Sequence, residues 1–98
     1  MKFYAKVYRE GNEILVACCD DDLRGKTFEE GELVLDVKKS FYCGEVVEGS
    51  YLCSLLDKAT VANMVGTRVI KLAVDAGLID EKNILKVDGV PHAQMVKM

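Results

Sequence analysis

His92 is the one side chain in this sequence whose unperturbed pKa lets it change charge near neutral pH. It follows the one proline, in the stretch Gly89-Val90-Pro91-His92-Ala93-Gln94. Proline fixes φ and removes a backbone donor, so His92 is presented from a stiff segment. As a general acid or base, His92 would need a polar neighbour to orient it. Asn63, Gln94 and Arg68 are the residues that would stand near it if the last strand packs beside a long helix. A helical wheel puts Asn63 at the border of the apolar face, beside Ile70 and Val74, where it can serve either as an imperfect capping partner of Thr60 or as a site residue. One histidine makes no metal site, and no Ser or Cys is placed by the sequence to act as its nucleophile. A structural role or a contact to a partner is the simpler use of His92.

A second constellation lies at the other end of the chain. Lys2, Tyr4, Lys6 and Tyr8 share one face of an alternating segment, and basic groups interleaved with aromatics can meet phosphates and stack bases. The same pattern also describes an ordinary solvated strand face. Leu23-Arg24-Gly25-Lys26-Thr27 ends like a phosphate-binding loop, but the full motif needs a glycine where Asp20 stands. Asp21 and Asp22 would also put negative charge where phosphates must sit, so Lys26 reads as a solvated lysine after a glycine turn. Asp20-Asp21-Asp22 lacks the alternating oxygen pattern of a calcium loop and reads as a carboxylate-rich turn or helix start.

Cys18, Cys19, Cys43 and Cys53 include no Cys-x-x-Cys pair. Adjacent Cys18 and Cys19 point to opposite faces of a strand. They read as reduced, buried small hydrophobes rather than as zinc ligands, and no metal or cofactor is expected.

These residues must be positioned by a small frame. The chain of 98 residues is expected to form one domain over residues 1–98 and, with half its residues hydrophobic, to bury a core without staples. Lys2 to Tyr8 alternates as a half-buried strand, Glu10-Gly11-Asn12 is a turn, and Ile14 to Cys19 returns as the second strand of a hairpin. Asp20 to Gly31 reads as a loop with one helical turn. Leu33, Leu35 and Val37 mark a third strand of the sheet, Phe41 to Gly44 its end or a bulge, and Glu45 to Gly49 a loop. Tyr51 to Ala59 fits a short helix. Thr60 then looks like the N-cap of a long helix from Val61 to Ala76, closed by Gly77. Gly66 falls inside that helix, where it costs about 1 kcal/mol relative to Ala. Such a cost implies that something needs the missing side chain. Asp88-Gly89 is a type I′ turn signal for a closing hairpin, and Pro91 argues for an edge strand or a ladder position without a donor. The expected class is α+β: a small mixed or antiparallel sheet packed on one short and one long helix.

The net charge is −3, unevenly spread: residues 10–36 hold nine acids against Arg24 and Lys26. The total disfavours a general nucleic-acid grip but leaves room for a local basic patch. No run approaches the about 18 apolar residues of a membrane span. Lys6 and Arg9 interrupt any signal-peptide core, so the chain is expected in the cytoplasm.

The fragments Leu23-x-Gly25-Lys26-x-Phe28, Phe41-Tyr42-x-Gly44, Ala62-Asn63-x-x-Gly66, Ala76-Gly77-Leu78-Ile79 and Gly89-Val90-Pro91-His92-Ala93-Gln94, in this order, resemble the archaeal domain of unknown function 424 family. The likeness runs over essentially the whole chain, the last hexapeptide and the Ala-Asn-x-x-Gly piece being its most specific parts. It implies a small archaeal cytosolic protein with no named activity. It also marks Gly25, Lys26, Asn63, Gly66, Pro91, His92 and Gln94 as signature positions and implies no cysteine metal motif. The expected function is a non-enzymatic binding module for RNA or for a ribosome- or translation-associated protein, working through Asn63, His92 and Gln94 and without a membrane. The alternative is a small enzyme with His92 as acid or base, Asn63 orienting it, and Lys26 or Arg68 holding an anionic substrate. A homodimer paired through the third strand's edge is compatible with both.

Overall fold

The computed structural model describes residues 2–97. In chain order the elements are β1 (Lys2–Glu10), β2 (Glu13–Asp20), β3 (Thr27–Glu30), β4 (Leu33–Asp36), α1 (Lys39–Tyr42), β5 (Glu45–Glu48), α2 (Gly49–Lys58), β6 (Val61–Val65), α3 (Thr67–Asp75), β7 (Leu85–Val87) and β8 (Val90–Val96). Single 3₁₀ turns occupy Asp21–Leu23 and Glu81–Asn83. The fold is α+β. A six-stranded sheet runs β5-β1-β2-β6-β8-β7, with β2 and β6 parallel and its other neighbours antiparallel.

Period-two alternation sends side chains to two cores. On one face Phe3, Ala5, Val16, Cys18, Ala62, Met64, Ala93 and Met95 meet Leu52 and Leu56 of α2 and Val69, Ile70 and Ala73 of α3. On the other face Ala17, Cys19, Val65 and Val87 meet Leu35, Val37 and Tyr42. β2 is covered on both sides, which is why its sequence is a continuous apolar run instead of an alternating one. Phe3, Leu52, Leu56 and Met64 are the largest fully buried side chains, each contributing about 2 kcal/mol by burial.

The turn chemistry follows the sequence. Asp88 (φ 51°) and Gly89 (φ 80°) both take positive φ between β7 and β8. At the end of α3, Gly77 (φ 74°) donates to the Val74 carbonyl and Leu78 to the Ala73 carbonyl, a Schellman closure.

Four sequence expectations are corrected. The stretch from Val61 to Ala76 is not one helix. Val61–Val65 is a central strand paired on both sides, and only Thr67–Asp75 is helical. Its apolar residues suit a helical period, but β-branched residues at both ends favour the pleated sheet once two partners are available. The third strand leaves the main sheet and pairs with Thr27–Glu30 as a separate two-stranded layer. Residues after it form the single turn α1 instead of a sheet end, and Glu45–Glu48 is no loop but an edge strand against β1. Pro91 takes the second of the two placements its sequence allowed: β8 is flanked by β6 and β7, so it is not on an edge strand, and its nitrogen faces away from the β7 ladder, where no donor is needed. It sits one position beyond the β6 ladder, where its carbonyl accepts the Gly66 N–H at 2.9 Å.

Candidate functional site

Register brings the two sequence constellations onto one sheet face. Lys6 opposes Ala17, Ala17 opposes Asn63, and Asn63 opposes Gln94, so these four form one row across β1, β2, β6 and β8. The next row is Tyr8, Leu15, Val61 and Val96, and the row on the other side runs Tyr4, Cys19, Val65, His92 and Leu85. Neighbouring residues of β8 alternate to the helix face, where Ala93 and Met95 are buried.

The middle of this face is an amide pair. Gln94 Nε2 donates to Asn63 Oδ1 at 2.9 Å. Asn63 is half-buried and Gln94 exposed, Leu15 and Val61 flank them half-buried, and Val96 is 65% exposed. α1 and the β3–β4 layer cover the Val65 and Cys19 end of the face and stop short of this pair.

Backbone geometry adds an edge. Pro91 and Lys97 bond toward β6, the first through its carbonyl to Gly66 and the second through its N–H to Thr60. Antiparallel strands alternate the direction of these groups, so those of Gln94 and Val96 point the opposite way, toward β7's side. But β7 ends its pairing at His92. The Gln94 and Val96 backbone groups therefore face an edge without a strand partner among the described residues. Beside it lies a cleft of about 560 Å³ lined by residues 77–81, Asn83 and residues 94–96.

His92 is half-buried beside this pair, and burial pushes its pKa below the ordinary histidine value. Its imidazole makes no hydrogen bond to any described residue, and the Asn63 oxygen that was to orient it is bonded to Gln94. The Lys/Tyr strip is on the same face, but its groups are engaged within the chain. Tyr8 Oη donates to the Phe41 carbonyl at 2.7 Å and stacks on the Phe41 ring at 5.4 Å. Lys6 Nζ donates to the Ser40 carbonyl at 2.9 Å, and Arg24 lies over the Tyr4 ring. Lys2 stays exposed.

Arg68, Gly66 and Lys26 stand elsewhere. Arg68 is in the first turn of α3, above the Phe3 ring, paired with Asp21 and 3.8 Å from carboxylate oxygens of Asp20 and of Asp22. Burial works to lower its pKa, but the Asp21 hydrogen bond and the three carboxylates raise it on balance. Gly66 is not inside a helix; it is the residue before α3, with φ 116°. Lys26 is exposed in the turn before β3, where its carbonyl accepts from Val37. Sequence reasoning missed Asp20, which is 4% exposed and caps α3 from the end of β2. Its Oδ2 accepts the Arg68 N–H at 3.0 Å and its Oδ1 the Val69 N–H at 2.9 Å. The available signal was a carboxylate closing an apolar strand together with a glycine before a helix. Among the described residues no three His, Cys, Asp or Glu side chains cluster to hold a metal ion, and no helix is long and apolar enough to cross a membrane.

The family model for Protein of unknown function (DUF424) matches residues 8–98, and the chain belongs to that family. It is also similar to a protein of known crystal structure, an uncharacterized conserved protein from Methanopyrus kandleri, with 25% identity and a TM-score of 0.79, covering 100% of this chain and 95% of that one. No curated protein matches the chain.

Proposed function

We propose that this member of the family is a non-enzymatic binding module whose open sheet face and free β8 edge take up an extended segment of a protein partner. Gln94 carries the reading: its side chain bonds Asn63 at the centre of the open face, while its backbone N–H and C=O stand on an unpaired edge. An added strand satisfies such an edge through main-chain hydrogen bonds and gains specificity from alternate side chains. An amide pair ringed by Leu15, Val61 and exposed Val96 supplies the mixed polar and apolar surface that protein interfaces use.

RNA is the less favoured ligand. Tyr4 and Tyr8, the rings that would stack bases, lie against Arg24 and Phe41, and the Lys6 ammonium is held by α1. The enzyme reading lacks its geometry: His92 has no orienting partner, and Arg68 and Lys26 lie apart from it, Arg68 already paired with carboxylates.

The test is affinity capture from extract of the source cells, comparing the wild-type protein with Gln94→Lys and with a Lys2→Glu, Lys6→Glu double variant. The reading predicts a protein partner that survives ribonuclease, is retained by the double variant and falls at least about tenfold with Gln94→Lys. Loss of the partner on ribonuclease treatment, or with the double variant alone, would replace this reading with RNA binding.

A further inference from the structure

The β8 edge presents a different surface at each of three consecutive residues. β7 already pairs with this edge in the antiparallel sense, and a strand added beyond it in the same sense sets one residue opposite each of Val96, Met95 and Gln94. Its residues opposite Val96 and Gln94 project onto the open sheet face, and the one between them projects to the helix side.

On the open face the Asn63 and Gln94 amides are two rungs of a ladder that stops at the edge. Their bond uses one hydrogen of Gln94 Nε2 and leaves the second, with Oε1, without a partner among the described residues. A carboxylate could accept from that nitrogen but would repel Oε1, and an ammonium would do the reverse. A third carboxamide offers donor and acceptor together, as in stacked Asn and Gln ladders. In the next row Val96 is exposed beside half-buried Val61, which suits an apolar β-branched neighbour. On the helix side the edge borders the cleft of about 560 Å³. Half-buried Leu78 and Ile79 give it apolar surface, and exposed Asp80 and Glu81 give it carboxylates. Lys82 stands 3.8 Å from Asp80, while Glu81 pairs with no described cation, and Lys97 Nζ is turned to the Leu56 and Asp57 carbonyls. An aliphatic stem ending in a positive charge fits such a cleft.

We propose that the β8 edge selects extended protein segments of the order apolar, basic, carboxamide, such as Val-Lys-Gln, laid antiparallel to β8. The valine lies opposite Val96, the lysine reaches past Met95 into the cleft toward Glu81, and the glutamine adds a rung to the Asn63–Gln94 ladder. Such selection rests on the strand addition proposed as the function and adds to it the chemistry of the partner. Main-chain hydrogen bonds at Gln94 and Val96 hold any extended segment; the three side chains decide which one.

The experiment titrates synthetic peptides, identical except for a central Val-Lys-Gln, Val-Glu-Gln or Val-Lys-Ala, into the whole chain and follows the Gln94 and Val96 amides by NMR. Val-Lys-Gln should bind on the order of tenfold more tightly than Val-Glu-Gln at low ionic strength, with the gap narrowing as salt rises. It should also bind several-fold more tightly than Val-Lys-Ala. In Glu81→Lys, a change at an exposed position, the preference between the lysine and glutamate peptides should invert. Peptides that move both amides with equal affinity, or a preference that Glu81→Lys leaves intact, would overturn the selection and leave strand addition standing. Amides that no peptide moves would overturn both.

Discussion

The Asp20 carboxylate fills the space in which a side chain at position 66 would begin. A Cβ built on Gly66 would lie 2.4 Å from Asp20 Cγ and 2.6 and 2.7 Å from its two oxygens. The two residues form one device. Asp20 ends β2, Gly66 directly follows β6, and the parallel pairing of these strands sets the carboxylate against the first free N–H groups of α3. The site depends on it, because the strand that carries Asn63 leads directly into this junction.

Gly66→Ala should therefore be severely destabilising, by about 2–4 kcal/mol, since it combines the clash, a positive φ and a displaced cap. Asp20→Ala should cost about 2 kcal/mol by leaving two helix N–H groups without their acceptor. Urea denaturation of both variants checks this. A Gly66→Ala protein within about 0.5 kcal/mol of wild type would refute the coupling.

Acidification should destabilise the fold through His92. Its folded pKa lies below its unfolded one because burial disfavours the cation. At high pH both states are neutral and the residue contributes nothing. As pH falls through the unfolded value, near 6.5, the unfolded state takes up the proton first and stability drops, levelling off below the folded pKa. A stability profile of wild type against His92→Gln, with an NMR titration of the single imidazole, measures this. A folded pKa above the ordinary histidine value would reverse the sign.

Asn63→Ala should separate binding from stability. The Asn63–Gln94 hydrogen bond is at the surface, so its loss should cost only about 0.5–1 kcal/mol of folding stability. Loss of the same side chain from the middle of an interface should weaken partner binding by tenfold or more. Paired denaturation and titration experiments would show the difference. Equal, small effects on both would remove Asn63 from the site.

The sequence carried some of this and not the rest, for physical reasons. The first hairpin, the Asp88-Gly89 turn and the Gly77 helix end were legible because each is fixed by local chemistry: alternation, or glycine at positive φ. Val61–Val65 was not, because Val61, Val65, Val69 and Leu72 repeat at helical spacing whether or not a break lies among them. Gly66 was the break, and its reason, Asp20, lies 46 positions away. Glu45–Glu48 is a four-residue strand that exists only because β1 offers an edge. Of the candidate site, Asn63, His92 and Gln94 were found by residue type and likeness to the family, and register unites them. Arg68 could not be separated from them by sequence, since a continuous helix would have carried Asn63 and Arg68 together.

Amide hydrogen exchange at Gln94 and Val96 tests the binding account most directly, in the free protein and in the complex with the captured partner. The free edge predicts rapid exchange at both amides in the isolated protein, in contrast to slow exchange at Lys97, which is bonded to Thr60 at 2.8 Å. In the complex both should slow by at least about tenfold as an added strand accepts their hydrogens. Amides already slow in the free protein, or unchanged in the complex, would contradict recognition at the β8 edge.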